Sequence, residues 1–440
     1  MLKNLKKYLI LSLTAFMAFG LGLASMPSVN AAEPIQVNFW YTVGGANGEA
    51  LQDIIDNYNA SQNEVFINGQ YQGSYGEVQT KLKAAAAGGN LDANLIQAGN
   101  MDQAFMLNTG LFVPMQELID QNNFNLTNLE ENILAFYKIN DQLYSMPFNA
   151  STPILYYNKD MFEAAGITEI PENMYDVIAI SKDLVENGGA SMAMSLQIRQ
   201  WYIHEWFMTQ GLDMFNNEDG RSGKATETVF MDNGGLTNIL QMHLDAYNSG
   251  YIPNVGRDGG KPEFLSGESA MTILSTASVR QILEEVGDRF EVGTAYFPKL
   301  TAEDSHGVAV GGASLWLTNV GDAEVNNAAW KFIEYLTSPE VQAEWSVNTG
   351  YFPINVKAYD EKVLQDNLEE FPIFKTAIDQ LHDSSIESVG PVTPIWQEAA
   401  DILNTSVERV LAGEMTPEEA AQEAADKMDQ ASQEYYQVNQ

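Results

Sequence analysis

Four histidines, His204, His243, His306 and His382, are the first residues to test for chemistry. None stands four positions from another, so there is no zinc helix of the H-E-x-x-H kind, although Glu205 directly follows His204. The chain has no G-x-S-x-G turn for a nucleophilic serine. It also has no phosphate loop, since Val310-Gly311-Gly312-Ala313-Ser314 is glycine-rich but lacks that spacing. With 59 Asp and Glu, two carboxylates can meet by chance, but no spacing singles out a glycosidase pair. These absences point away from catalysis and toward binding. No metal site and no cofactor is expected.

Other residues have the chemistry of contact. Tyr75 follows Gly73-Ser74 at the start of a helical pattern. A phenol there stands beside free backbone N–H groups and suits a hydroxyl or an anion; a half-buried packing role is the alternative. Ser151 lies in the polar stretch Asn149-Ala150-Ser151-Thr152 between two apolar runs and either meets a ligand or caps a turn. Ser275 ends a strand pattern before a helical one, where an N-cap and a ligand contact compete or coexist. Gly312 allows a close backbone approach, or is only a bend. Tyr351, in Gly350-Tyr351-Phe352-Pro353, presents an aromatic ring at a turn. Trp201 and Trp206 are five apart and do not share a helix face, so one belongs to the core and the other to a wall, with Arg199 and Glu205 beside them. An aromatic wall stacks on a sugar face or holds a cation.

The elements that position these residues alternate. Strand-like Ile35–Tyr41 precedes a helix over about Glu49–Gln62, whose Leu51, Ile54, Ile55 and Tyr58 share one face. Val65–Tyr71 reads as a strand, about Tyr75–Ala87 as a helix and Ala93–Gln97 as a strand. Gln142–Phe148, Pro153–Tyr157, Ala270–Leu274, Val292–Phe297 and Val308–Leu317 read as further strands, and the chain beyond Asp322 is mostly helical. This order predicts an α/β fold with a largely parallel sheet. The length predicts two lobes rather than one core, and the lack of a low-complexity linker predicts short crossings between them.

The N-terminus bears Lys3, Lys6 and Lys7, then the apolar run Leu9–Ala24, then small residues before Ala32. That pattern predicts a secretory leader over residues 1–31, too short in its apolar part to span a membrane. With no cysteine, neither a disulfide nor a lipoprotein anchor is expected, and the exported protein should be free in a periplasm or secreted. Lys and Arg number 22, giving a net charge of −37, which argues against nucleic acid or an anionic membrane as partner.

Five segments occur in order: Val37-Asn38-Phe39-Trp40 with Gly73-Ser74-Tyr75, the run Met146–Asp160 (MPFNASTPILYYNKD), Phe264–Thr272 (FLSGESAMT), Gly311–Trp316 (GGASLW), and Glu344-Trp345 with Thr349–Ile354 (TGYFPI). Together they resemble the extracellular binding proteins of carbohydrate-type ABC importers, and within that family most nearly the glycerol-3-phosphate and glycerophosphodiester branch. The resemblance implies a two-lobed, type II-like binding-protein fold with discontinuous lobes joined by a hinge, residues 32–150 with 312–356 and residues 151–311 with 357–440. It implies ligand contacts from Tyr75, Ser151, Ser275, the Gly312 backbone and Tyr351, with Trp201 as the wall. The chain departs from the branch at Asn100, where an acidic contact is usual, and across Pro394–Asp401, where the branch supplies an arginine to phosphate and this chain has no basic residue. Arg199 or Arg280 is then the candidate substitute. The implied function is capture of a glycerol phosphate, a glycerophosphodiester or a related polyol for the membrane subunits of an ABC importer, by a monomer that is not an enzyme. A neutral mono- or oligosaccharide is the alternative ligand, and a secreted carbohydrate-active enzyme the alternative class.

Overall fold

The computed structural model describes residues 33–438. The expected leader lies outside them. In β1 (Ile35–Tyr41) Val37, Phe39 and Tyr41 are buried and the residues between them less so, the period of two that one covered face requires. The helix Gly45–Ser61 buries Leu51, Ile54, Ile55 and Tyr58 on one stripe and returns the chain to β2 (Val65–Tyr71), parallel to β1. The helix Tyr75–Ala86 then leads to β3 (Leu95–Gly99), buried along its whole length. Short β4 (Lys138–Ile139) and β5 (Gln142–Leu143) form a two-stranded hairpin before β6 (Met146–Ser151) and β7 (Pro153–Asn158). The later strands are β8 (Met192–Ser195), β9 (Ser269–Ser275), β10 (Val292–Tyr296) and β11 (Gly311–Leu317).

These strands form two mixed sheets, ordered β2-β1-β3-β11-β6 and β10-β7-β9-β8. The sequence predicts a largely parallel sheet, and that holds for β1, β2 and β3 and for the β8–β9 pair. It fails where the chain changes sheets. β11 arrives from the second sheet and runs antiparallel to both β3 and β6, and β7 is antiparallel to both its neighbours. The chain leaves the first sheet at Ser151 and enters the second at Pro153. Thr152 between them is held by Gln380, whose Nε2 donates to the Thr152 hydroxyl at 2.8 Å and to the Pro153 carbonyl at 2.9 Å.

Asn149–Thr152 reads as a turn in the sequence, but β6 continues through Ser151 and all six of its residues are buried. The expected strand over Val308–Leu317 begins only at Gly311, and Val308–Val310 cross between sheets without regular structure.

The helix Tyr75–Ala86 starts at a capping box. The Ser74 hydroxyl accepts from the Glu77 N–H at 3.3 Å, and the Glu77 carboxylate accepts from the Ser74 N–H at 2.6 Å. This fixes the first turn, and with it Tyr75. Ser74→Ala should lower stability by about 1 kcal/mol in urea denaturation, with a weaker effect if solvent already serves these groups.

Candidate functional site

The residues nominated by sequence, Arg280 excepted, gather where β6 and β11 run side by side, at Ser151–Gly311 and Ala150–Gly312. Gly312 has φ +104°, and a Cβ there would lie 1.9 Å from the Asn149 carbonyl oxygen, so only glycine lets the two backbones approach this closely. A Cβ on Gly311 would lie 2.7 Å from the Trp201 ring. Trp201 therefore packs closely against glycine backbone, half-buried, at the start of the helix Gln200–Gln210. The Arg199 guanidinium stands 4.9 Å from the Trp201 ring centroid and 5.7 Å from that of Tyr202. The arginine ion pairs among the described residues belong to Arg257 and Arg409, which leaves Arg199 without a carboxylate. Trp206 is the core member of the pair, with its indole N–H donating to the Pro298 carbonyl at 3.0 Å.

Two tyrosines stand close to Asn149 of β6. Tyr75 is half-buried as a residue, but its phenol end is deep beside Asn149 and Thr42, and burial pushes its pKa far up. Tyr351 is buried, stacked on Trp345 at 5.4 Å and 12°, and Trp345 in turn stacks on Phe148 at 5.3 Å. Burial raises the Tyr351 pKa too, against the lowering effects of Asn149 and Arg199. Both phenols stay protonated and serve as neutral donors and acceptors.

Ser151 is buried at the crossing, and Ser275 is half-buried. The Ser275 hydroxyl accepts from the Ala277 N–H at 3.2 Å, so its capping role is filled. Asn47, from the first helix, donates to the Ala277 carbonyl at 3.2 Å and so joins elements of the two sheets. Asn100 donates to the Val310 carbonyl at 2.9 Å and steadies the irregular crossing. Arg280 is not brought to this place. Its guanidinium donates to the Val347 carbonyl and to Asn367 and lies over the rings of Phe371 and Phe374 at 5.0 and 4.9 Å, so it ties helices together.

Several residues here carry no signal in the sequence. Asp102 is 4% exposed, and its Oδ1 accepts from Gln79 and from Gln397 at 3.2 Å each. Gln397 lies in the stretch where the resemblance leads one to expect an arginine. Burial pushes the Asp102 carboxyl up to about 6, against the lowering effect of Gln397. Gln97, Asn149 and Tyr137 are fully buried polar groups at the same floor. His204 and Glu205 are buried as well, and the Glu205 carboxylate accepts from the Ala309 N–H at 2.7 Å, holding the second crossing. Among the described residues no cluster of His, Asp and Glu could hold a metal ion, and no helix is long and apolar enough to cross a membrane.

A family model described as bacterial extracellular solute-binding protein matches residues 53–372. The sn-glycerol-3-phosphate-binding periplasmic protein UgpB of Escherichia coli (strain K12) is 27% identical over 428 residues, covering 94% of this chain and 95% of that protein. The Yersinia pestis protein of the same description is 28% identical over 353 residues, covering 78% of this chain and 80% of that one. Among solved structures, UgpB from Mycobacterium tuberculosis in complex with glycerophosphocholine superposes with TM-score 0.76 at 22% identity, covering 91% of this chain and 99% of that one. The cyclic alpha-maltosyl-1,6-maltose binding protein from Arthrobacter globiformis superposes with TM-score 0.74, also at 22% identity and the same coverage. The fold is thus the two-lobed α/β fold of such proteins.

Proposed function

The chain belongs to the bacterial extracellular solute-binding proteins, and from that membership we propose that it captures a polyhydroxylated solute with at most one negative charge and hands it to an ABC importer. A glycerophosphodiester is the leading ligand and a neutral sugar the second. The observation that carries this reading is the set of groups at the β6–β11 crossing: neutral phenols of Tyr75 and Tyr351, the Gly312 backbone, the Trp201 wall, and one unpaired guanidinium, Arg199. The Asp102 carboxylate, beside Tyr75, accepts from hydroxyl donors and repels phosphate. Ser151, Ser275 and Asn100 lie near enough to contribute; Arg280 is committed elsewhere. The neighbour in complex with glycerophosphocholine and the one named for a maltosyl sugar support this class, and the relatives named for glycerol 3-phosphate share its polyol part but carry a more highly charged phosphate.

Residues 32–150 with 312–356 form one lobe in this reading and residues 151–311 with 357–440 the other, and they close on the solute. The protein works outside the cytoplasm, after loss of a leader near Ala31 and without a lipid anchor, as a monomer that performs no reaction and uses no cofactor.

Titration calorimetry with glycerophosphocholine, glycerol 3-phosphate and maltose tests the ligand class. The diester or the sugar should bind tighter than the monoester, whose doubly charged phosphate asks for more than one cation. Arg199→Ala should weaken glycerophosphocholine by at least about tenfold and leave maltose nearly unchanged. Tightest binding of glycerol 3-phosphate, insensitive to Arg199→Ala, would overturn the reading.

A further inference from the structure

Asn149 is fully buried, and the orientation of its amide is dictated by its neighbours. Gln97 Oε1 accepts from the Thr42 N–H at 2.8 Å, the Val43 N–H at 3.3 Å and the Thr42 hydroxyl at 3.0 Å. Backbone N–H groups only donate, so the Gln97 oxygen must face them and its NH2 must face the other way. That NH2 donates to Asn149 Oδ1 at 2.7 Å. The Asn149 NH2 consequently points away from Gln97, and its Nδ2 has no partner in hydrogen-bonding geometry and no contact with solvent. The Tyr75 and Tyr351 phenols approach this amide without completing a bond to it.

Tyr137 repeats the pattern. It is fully buried, Tyr75 and Tyr351 are its electrostatic neighbours, and its hydroxyl is unpaired; Ser314 approaches outside bonding geometry. Its backbone is fixed by Arg221, which donates to the carbonyls on either side of it, Phe136 and Lys138, at 3.3 Å each, and to the Gly390 carbonyl at 2.8 Å. Native proteins rarely leave buried donors without acceptors, because the desolvation cost is then unreturned.

We propose that Asn149 and Tyr137 are a donor pair that touches the solute directly and reads its acceptor oxygens, and that Arg221 positions Tyr137 for that contact. This rests on the solute-binding reading above. Acceptor oxygens enclosed as the lobes close pair both donors, so closure around a solute rich in such oxygens is favoured over closure without it. A solute lacking an oxygen at this point leaves the pair unmet and is discriminated against.

The test uses Tyr137→Phe, which removes one hydroxyl and keeps the ring. Ligand-free Tyr137→Phe should melt at the wild-type temperature or above, since no bond is lost. Its affinity for whichever of glycerophosphocholine, glycerol 3-phosphate and maltose the wild type binds should fall about tenfold. Asn149→Ala should weaken the same probe by a similar factor. Arg221→Lys should also weaken it, but should add nothing on top of Tyr137→Phe, because it acts through that hydroxyl. Wild-type affinity in Tyr137→Phe overturns the assignment. So does a ligand-free melting temperature several degrees lower, which would mean the hydroxyl is already bonded, and that result decides the matter even without a binding probe. A wild type that binds none of the three probes defeats the proposed ligand class instead.

Discussion

Alanine at Gly312 should be among the most damaging single changes in the chain, costing on the order of 3 kcal/mol or more and abolishing solute binding. Two effects add. The backbone φ of +104° is one that a residue with a Cβ rarely adopts. The new Cβ would also meet the Asn149 carbonyl oxygen at 1.9 Å, its carbonyl carbon at 3.0 Å and the Ala150 Cα at 3.3 Å. All three are backbone atoms of the paired strand, so no side-chain rotation relieves the clash, and β6 must separate from β11 where Asn149 and Ser151 lie. Gly413 is the control. It has φ +70° with nothing within 4 Å of an added Cβ, so Gly413→Ala carries only the conformational cost of about 1 kcal/mol. Urea denaturation of both variants separates the effects. A Gly312→Ala protein within about 1 kcal/mol of Gly413→Ala would mean that the strands do not approach as described.

Much of this frame is written in local sequence. The stripe of Leu51, Ile54, Ile55 and Tyr58 marks its helix by spacing alone, and the uneven spacing of Trp201 and Trp206 correctly assigns one to the core. Asn149–Ser151 is misread as a turn because asparagine and serine between apolar runs usually mean solvent. Here they are buried strand residues, since their polar partners come from afar. Gln97 is 52 positions from Asn149, and Gln380 is 228 positions from Thr152. No window along the chain contains both members of such a pair. Arg280 misleads for the same reason. The sequence offers it as a substitute for the arginine missing from Pro394–Asp401, while Val347, Asn367, Phe371 and Phe374, all distant in sequence, hold it elsewhere. Tyr137 and Asp102 look ordinary in sequence and become notable only through burial.

Asp102→Asn should stabilise the protein at pH 7 and lose that advantage in acid. Burial pushes the Asp102 carboxyl up to about 6, whereas the unfolded chain titrates it near 4. The folded state therefore holds more protons than the unfolded state between these values. Stability from this group is fully present below about pH 4 and is lost as pH rises through about 6. A shift of this size corresponds to something on the order of 2 kcal/mol at neutral pH. Asparagine keeps an oxygen for Gln79 and Gln397 and removes the buried charge, so the variant should gain about that much at pH 7 and nothing near pH 4. Other groups also shape the absolute profile. Asp219, also pushed up to about 6 chiefly by burial, acts in the same sense. His243, pushed down to about 4 by burial, opposes both, since its contribution is lost as pH falls from about 6.5 through 4. Both stay constant in the comparison of Asp102→Asn with wild type, so the difference between the two denaturation midpoints isolates Asp102. A difference that does not change with pH would mean that the carboxylate is not desolvated. The same variant should bind a hydroxyl-bearing solute more weakly, because an ionised oxygen accepts an O–H more strongly than an amide oxygen does. Gained stability with lost affinity is the pattern of a residue kept for its contact rather than for the fold. Gained stability with unchanged affinity would leave Asp102 as a buried acid bridging Gln79 and Gln397 and take it out of the binding surface.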